Sequence, residues 1–231
     1  MKAQRLIKKG EEITTRYGGL NLGQPRRSQL LFDHWRFSCS CARCLDPTEL
    51  GTFNSGLSCT IPHCQSFLLP YRALVWRCHA CNNTEPVDFV LKVIRDAESF
   101  IRNNIGGDVD SEALERTIWS LQTFLHPQHY LLAQIKLVLL NKYSLQSTMS
   151  RPVIERVVQL GQELAQLTVQ LDSNYSTTLG KIMKILIPVW SKLADADLAS
   201  GSITSQQFQR RKIICYRYVD NLILCSKIKK S

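Results

Sequence analysis

Seven of the nine cysteines in this 231-residue chain lie between positions 39 and 81. The first three form Cys39-Ser40-Cys41-Ala42-Arg43-Cys44, a C-x-C-x2-C run. Ser40 and Ala42 are small enough to let the backbone turn tightly and bring three thiolates to one point. A structural zinc ion takes four ligands in a tetrahedron, with Zn–S distances of about 2.3 Å. This run supplies three, so a fourth must come from elsewhere in the fold or from residues outside the chain; His34 is the nearest candidate within it. The next four form Cys59-x4-Cys64, thirteen residues, then Cys78-x2-Cys81, the arithmetic of a zinc ribbon. That set completes a shell without help, so His63 and His79 are expected to point away. Trp76 is expected to pack against the second knuckle. Cys215 and Cys225 share one face of a helical pattern and read as core residues.

The elements that must hold these thiols divide the chain in three. Residues 1–38 carry short strand and turn signals. Leu6-Ile7 and Glu12 to Tyr17 are expected to pair around the turn Lys8-Lys9-Gly10, with Gly18-Gly19 ending the second strand. Gln24 to Trp35 is expected to be a helix with Pro25 at its start. Residues 39–85 have few regular runs and are punctuated by Gly51, Gly56, Pro62 and Pro70. Small metal-organised modules look like this, because the ion replaces a missing core. From residue 86 to 231 the pattern is helical. Leu114, Ile118, Leu121 and Leu125 recur at helical spacing, and Val153, Val157, Leu160, Leu164, Leu167 and Leu171 mark the clearest amphipathic helix. A further helix runs from about Ser176 to Ala194 across Pro188, and a last one carries Cys215, Tyr218, Leu222 and Cys225. Asp110 or Ser111, Ser150 and Ser205 are the expected caps. The fold class is therefore α+β: a small β- and zinc-rich part followed by an all-α part. Helices joined this closely must pack antiparallel, and a tetratricopeptide-like stack is one arrangement they allow.

Hydrophobic residues make up 44% and charged residues 21%, which fits a folded globular chain and excludes a disordered tail, a collagen or a coiled-coil rod. The longest apolar stretch, Tyr130 to Leu140, is broken by Gln134 and Lys136 and is too short to span a bilayer. The start, Met1-Lys2-Ala3-Gln4-Arg5-Leu6-Ile7-Lys8-Lys9, has no apolar leader core, so a reducing compartment is expected, where clustered thiols serve as metal ligands. Nuclear and cytoplasmic residence fit equally. The net charge of +10 sits at the ends: +6 over residues 1–45, +6 over 200–231 and −2 between them. An acidic partner, nucleic acid included, is one use of such ends; a solvated surface is the plainer one. No aromatic-interleaved nucleic-acid motif is present.

Three features in fixed order carry a resemblance. They are Gly10-Glu11-Glu12-Ile13-Thr14-Thr15-Arg16-Tyr17, the basic helix ending in Trp35-Arg36-Phe37, and Cys39-x-Cys41-x2-Cys44. Together they resemble the end of a SET domain and its post-SET zinc cluster in the SET–MYND (SMYD) family of protein-lysine methyltransferases. The run Cys44-Leu45-Asp46-Pro47-Thr48-Glu49-Leu50-Gly51-Thr52 and the second cysteine set are most similar to the arthropod branch. The helical half, with His126-Pro127-Gln128-His129-Tyr130, is similar to the family's tetratricopeptide-like domain.

By that resemblance, residues 1–38 are a SET remnant, 39–85 the post-SET cluster with a ribbon-like module, and 86–231 the helical domain. Tyr17 falls on the active-site tyrosine, which helps hold the target lysine nitrogen for in-line attack. Phe37 falls where an aromatic stacks on the adenine of S-adenosylmethionine. Trp35 falls where an aromatic lines the lysine channel, and a ring face attracts methylammonium. Cys39, Cys41 and Cys44 fall on three of four post-SET zinc ligands. The family's fourth cysteine follows an upstream Asn-His motif; that motif, the glycine-rich cofactor segment and the MYND finger have no counterpart here, and Arg16 stands where a small polar residue is expected. The resemblance thus implies a C-terminal portion of a protein-lysine methyltransferase, inactive by itself, with a lysine-bearing protein, such as a histone, as substrate. The alternative is a zinc-stabilised helical adaptor that binds a protein partner, and a third reading is a zinc-ribbon nucleic-acid binder. No membrane association is expected.

Overall fold

A computed structural model of the chain describes residues 6–13, 15, 17, 22–72, 74–105, 109–171 and 177–207. They fall into two compact units, one within Gly18–Lys142 and the other within Met1–Tyr17 and Tyr143–Ser231. The fold is mixed, with seven helices and one four-stranded antiparallel sheet among the described residues. None of these helices is long and apolar enough to cross a membrane.

The first unit opens with helix α1, Gln24–Trp35, which begins at the proline the sequence marks. A one-turn helix α2, Ala42–Leu45, follows from the first cysteine run. The sheet then runs β1 (Leu57–Ser58), β2 (Phe67–Arg72), β3 (Val75–Cys78) and β4 (Thr84–Pro86), each paired with the next. Leu57, Leu68 and Cys78 stand in register across three strands. With Trp76 they form a buried face. Pro70, a breaker in the sequence, lies inside β2, where the ladder to β3 is irregular between Pro70 and Arg72. A proline has no ladder donor to give, so a bulge is where it fits.

Helices α3 (Val87–Asn104), α4 (Ser111–Leu121) and α5 (Tyr130–Ser144) complete this unit. Val90, Ile94 and Ala97 of α3 and Leu114, Ile118 and Leu121 of α4 are buried at helical spacing. Asp110 caps α4 by accepting from the Ala113 amide at 2.6 Å. Leu125, expected on that helix, instead leaves it and bridges Leu57. The chain after α4 runs alongside β1, through Ser58 N to Phe124 O (2.9 Å) and His126 N to Gly56 O (2.9 Å). That satisfies the backbone of the short edge strand. His129, fully buried, accepts from the Leu131 amide at Nδ1 (3.2 Å), and its Nε2 has no hydrogen-bond partner among the described residues. Burial, with the charge of His126 second, pushes the His129 imidazole down to about 3.

In the second unit α6 (Arg151–Leu171) and α7 (Thr177–Ala199) pack along their length. Arg151 meets Asp197 at 2.7 Å and Gly161 faces Leu186, so the pair is antiparallel. A Cβ on Gly161 would come within 2.8 Å of Leu186 Cδ1, so the glycine is what allows this close crossing. α7 extends to Ala199, five residues past the expected end, and carries Pro188 inside it. Beyond it Thr204 and Gln207 cap each other reciprocally, at 2.9 and 3.2 Å, taking the role assigned to Ser205. Gly10 forms the expected turn, with Glu11 N to Lys8 O at 3.0 Å, but the described residues around it form no strand pair. So short a hairpin has little cross-strand packing to hold it. Gly18, Gly19 and the pattern through Cys215 and Cys225 lie outside the described residues.

Candidate metal centres

Topology brings the second cysteine set together. In an antiparallel meander the β1–β2 and β3–β4 connections lie at the same end of the sheet, and the β2–β3 hairpin at the other. Cys59 and Cys64 sit in the first connection, with Cys59 N to Ser66 O at 2.9 Å and Cys64 N to Ile61 O at 3.1 Å. Cys78 ends β3 and Cys81 follows in the turn closed by Cys78 N to Asn83 O at 2.7 Å. All four sulfurs lie within 4.8 Å of one another. Cys59 Sγ is 3.6 Å from Cys81 Sγ, and Cys64 Sγ is 3.7 Å from Cys78 Sγ. A disulfide needs about 2.05 Å. The edge of a tetrahedron built on Zn–S bonds of about 2.3 Å is about 3.8 Å. The spacing therefore fits four thiolates around one ion, and all four are free of disulfides.

The electrostatics point the same way. Burial acts to raise the Cys78 thiol, but backbone N–H groups of Cys81 and Ala80, with the neighbouring thiols, outweigh it and bring it down to about 6. Burial and the surrounding sulfurs push Cys59 up to about 12, against a backbone hydrogen bond at Ile61. At Cys64 a backbone hydrogen bond at Ser66 and the Cys59 thiol pull downward, but burial with the Cys81 and Cys78 thiols outweighs them and raises it. Four sulfurs this close do not all ionise unaided; a dication removes the mutual repulsion and takes the protons' place. Zinc would supply no redox chemistry here, only a bond network that fixes two turns. Across them Asn83 donates to Thr60 Oγ1 (2.9 Å) and Thr60 to Glu85 (2.5 Å). Trp76 is buried in β3. His79 packs its ring edge-on to Phe53, with centroids 6.0 Å apart, and neither it nor His63 joins the gathered set.

The first set is also gathered. Cys39, Cys41 and Cys44 lie within 4.8 Å of one another, on a turn that becomes α2 through Cys44 N to Cys41 O (2.9 Å). His34 does not join them; its Nδ1 lies 3.2 Å from the Leu30 carbonyl of its own helix. Burial raises Cys41, yet the Cys44 amide, the two sister thiols and the Arg27 charge bring it to about 7. Burial pushes Cys44 up to about 12, with Arg27 opposing. Arg27, on α1 beneath this turn, was not singled out by the sequence.

A second feature was hidden by its charge. Arg43, between two of the cysteines, is buried and pairs with Glu49, itself 1% exposed, through Nε (3.0 Å) and Nη2 (2.8 Å). Arg43 Nη2 also donates to Leu22 O at 2.8 Å. The other Glu49 oxygen accepts from Ser55 Oγ and from the Gln24 amide (3.0 Å) at the N-terminus of α1, where a carboxylate is electrostatically favoured. The turn delivering Glu49 needs left-handed backbone at Glu49, Leu50, Gly51 and Phe53, and Asp46 holds it by accepting from Thr48 N, Thr48 Oγ1 and Leu50 N. The Cys44–Thr52 run is thus a clamp that locks the cysteine turn to α1.

Trp35 ends α1 at 45% exposure, its ring 5.5 Å from His34, and Phe37 follows, half-buried. Tyr17 is 46% exposed and belongs to the other compact unit.

No protein-family model matches the chain. Among curated proteins, it is 31% identical over 145 residues to isoform A of the SET domain-containing protein SmydA-8 of Drosophila melanogaster, covering 59% of this chain and 30% of that protein. Isoform B is 30% identical over 143 residues, 58% of this chain and 31% of its own length. The chain therefore spans under a third of the relatives it matches. With the ordered motifs and gathered cysteines described above, this similarity supports a relationship to the arthropod SMYD-type SET-domain proteins over the stretch that matches.

Proposed function

We propose that this chain supplies the end of the SET domain, the post-SET zinc knuckle and the helical C-terminal domain of a SMYD-type protein-lysine N-methyltransferase. Residues 1–38, 39–85 and 86–231 are the three parts, the last of tetratricopeptide-like construction. The observation that carries the reading is the convergence of Cys39, Cys41 and Cys44 directly after Trp35 and Phe37, in a chain similar to SmydA-8. In this reading Tyr17 holds the lysine nitrogen, Trp35 lines its channel and Phe37 lies against the adenine of S-adenosylmethionine. The protein substrate meets the helical domain. Both cysteine sets hold zinc as structure, the first needing a fourth ligand beyond those gathered.

Transfer from a sulfonium to an amine needs near-attack alignment in a site that excludes water. Tyr17 and Trp35 are each nearly half exposed, so the 231 residues alone are expected to transfer no methyl group. The test is S-adenosylmethionine binding and lysine methylation by the full-length polypeptide that carries this sequence. Activity that falls about a hundredfold in Tyr17→Phe, with cofactor affinity unchanged, is expected. A full-length protein that binds no cofactor overturns the reading in favour of a zinc-stabilised helical adaptor.

A further inference from the structure

The end of the sheet opposite the four thiols carries a different chemistry. On the β2–β3 hairpin, the Arg77 guanidinium carbon lies 3.7 Å from the centroid of the Tyr71 ring, and that of Arg72 lies 5.1 Å from it. Leu74, beside them in the connection, is 69% exposed, and Tyr71 is 42% exposed. Two guanidinia on one ring repel each other unless an anion joins them, yet neither forms an ion pair with a carboxylate among the described residues. Asp88, which opens α3 just beyond β4, does not reach them within ion-pair distance, and Glu85 of β4 is engaged by Thr60 and Asn83. Stacking on tyrosine fixes the planar forks while leaving their N–H edges open, which suits oxyanions of fixed geometry.

We propose that the β2–β3 hairpin is a docking surface for an acidic, apolar segment of a partner protein: carboxylates bind Arg72 and Arg77, and a neighbouring aliphatic side chain packs on Leu74. Two features favour a polypeptide over nucleic acid. One face of the Tyr71 ring is already covered by Arg77 at 3.7 Å, so a base has less to stack on. The exposed Leu74 offers nothing to a phosphate but extends the contact for an apolar side chain. The hairpin's strands carry the buried Leu69, paired with Arg77, and the buried Trp76, paired with Pro70, so the surface rests on ordered backbone.

The test uses the 231-residue chain loaded with zinc and a fluorescein-labelled peptide of alternating Glu and Leu, read by anisotropy. Binding is expected to weaken about tenfold in R72A/R77A, and by a few-fold in Leu74→Ser, while zinc content stays at the parent value. Replacing every Glu of the peptide by Gln is expected to abolish the dependence on the two arginines. No binding of the Glu peptide, equal binding by the double variant, or tighter binding of a labelled single-stranded DNA of the same length each overturns the proposal. None of these outcomes depends on methyl transfer.

Discussion

The two cysteine sets reach similar sulfur geometry by opposite routes. Cys59, Cys64, Cys78 and Cys81 come from two turns that a four-stranded meander places at one end of the sheet. Their positions depend on strand register, and an ion there would tie residues 59 to 81 into one module. Cys39, Cys41 and Cys44 lie within six residues, so the chain gathers them locally, and a buried Arg43–Glu49 pair fixes the turn to α1. In the first arrangement an ion would hold the sheet end. The second has a protein-built clamp and offers only three sulfurs.

The largest expected effect comes from breaking the complete set. Cys78→Ser is expected to unfold residues 57–86, seen as lost amide-exchange protection there, since structural zinc contributes about 10–16 kcal/mol to such small modules. Cys41→Ser is expected to leave that protection intact. An unchanged exchange pattern in Cys78→Ser would remove the contrast between the sets.

Next in size is the clamp. Glu49→Ala leaves the buried Arg43 charge without its partner and is expected to cost about 3–5 kcal/mol in denaturant unfolding of the first unit. A double substitution, Arg43→Met with Glu49→Leu, is expected to restore much of it, because removing both charges also removes the desolvation cost. Equal damage from the single and double variants would show that Glu49 acts only through the Gln24 amide and Ser55.

His129 gives a pH-dependent effect. Its imidazole is held neutral by burial, with a folded value of about 3 against about 6.5 unfolded. The folded state therefore binds fewer protons, so the contribution is complete above about pH 6.5 and shrinks as pH falls toward about 3. The slope approaches about 1.4 kcal/mol per pH unit. His129→Asn is expected to flatten the difference between unfolding curves at pH 7 and pH 5; an unaltered difference would place the acid sensitivity elsewhere.

The smallest effect lies in the helical unit, where the described residues hold no gathered cysteine set. Gly161→Ala drives a methyl into Leu186 at 2.8 Å and is expected to cost about 1–3 kcal/mol, read as a lower thermal midpoint of that unit alone.

Much of this was legible in the sequence because it follows local rules. Pro25 marks the start of α1, the Val153-to-Leu171 periodicity marks α6, and cysteine spacing marks both gathered sets. What escaped depends on distant partners. Pro70 looks like a strand breaker until the irregular ladder around it is known. Leu125 continues a helical period but is drawn off α4 by Leu57, 68 residues earlier. The pairing of Arg43 with Glu49 is invisible to hydropathy, which has no means of showing that each is the other's counter-ion. The strand pair expected around Gly10 rested on propensity alone, and the described residues there form none.

The most direct measurement is a zinc titration of the refolded chain against a chromophoric chelator, run in parallel on Cys78→Ser and Cys41→Ser. One tightly held equivalent is expected in the parent chain and in Cys41→Ser, with a second, weaker equivalent only where Cys41 is intact, and no tight equivalent in Cys78→Ser. A parent chain that holds no zinc, or a tight equivalent that survives Cys78→Ser, would contradict the four-thiolate centre.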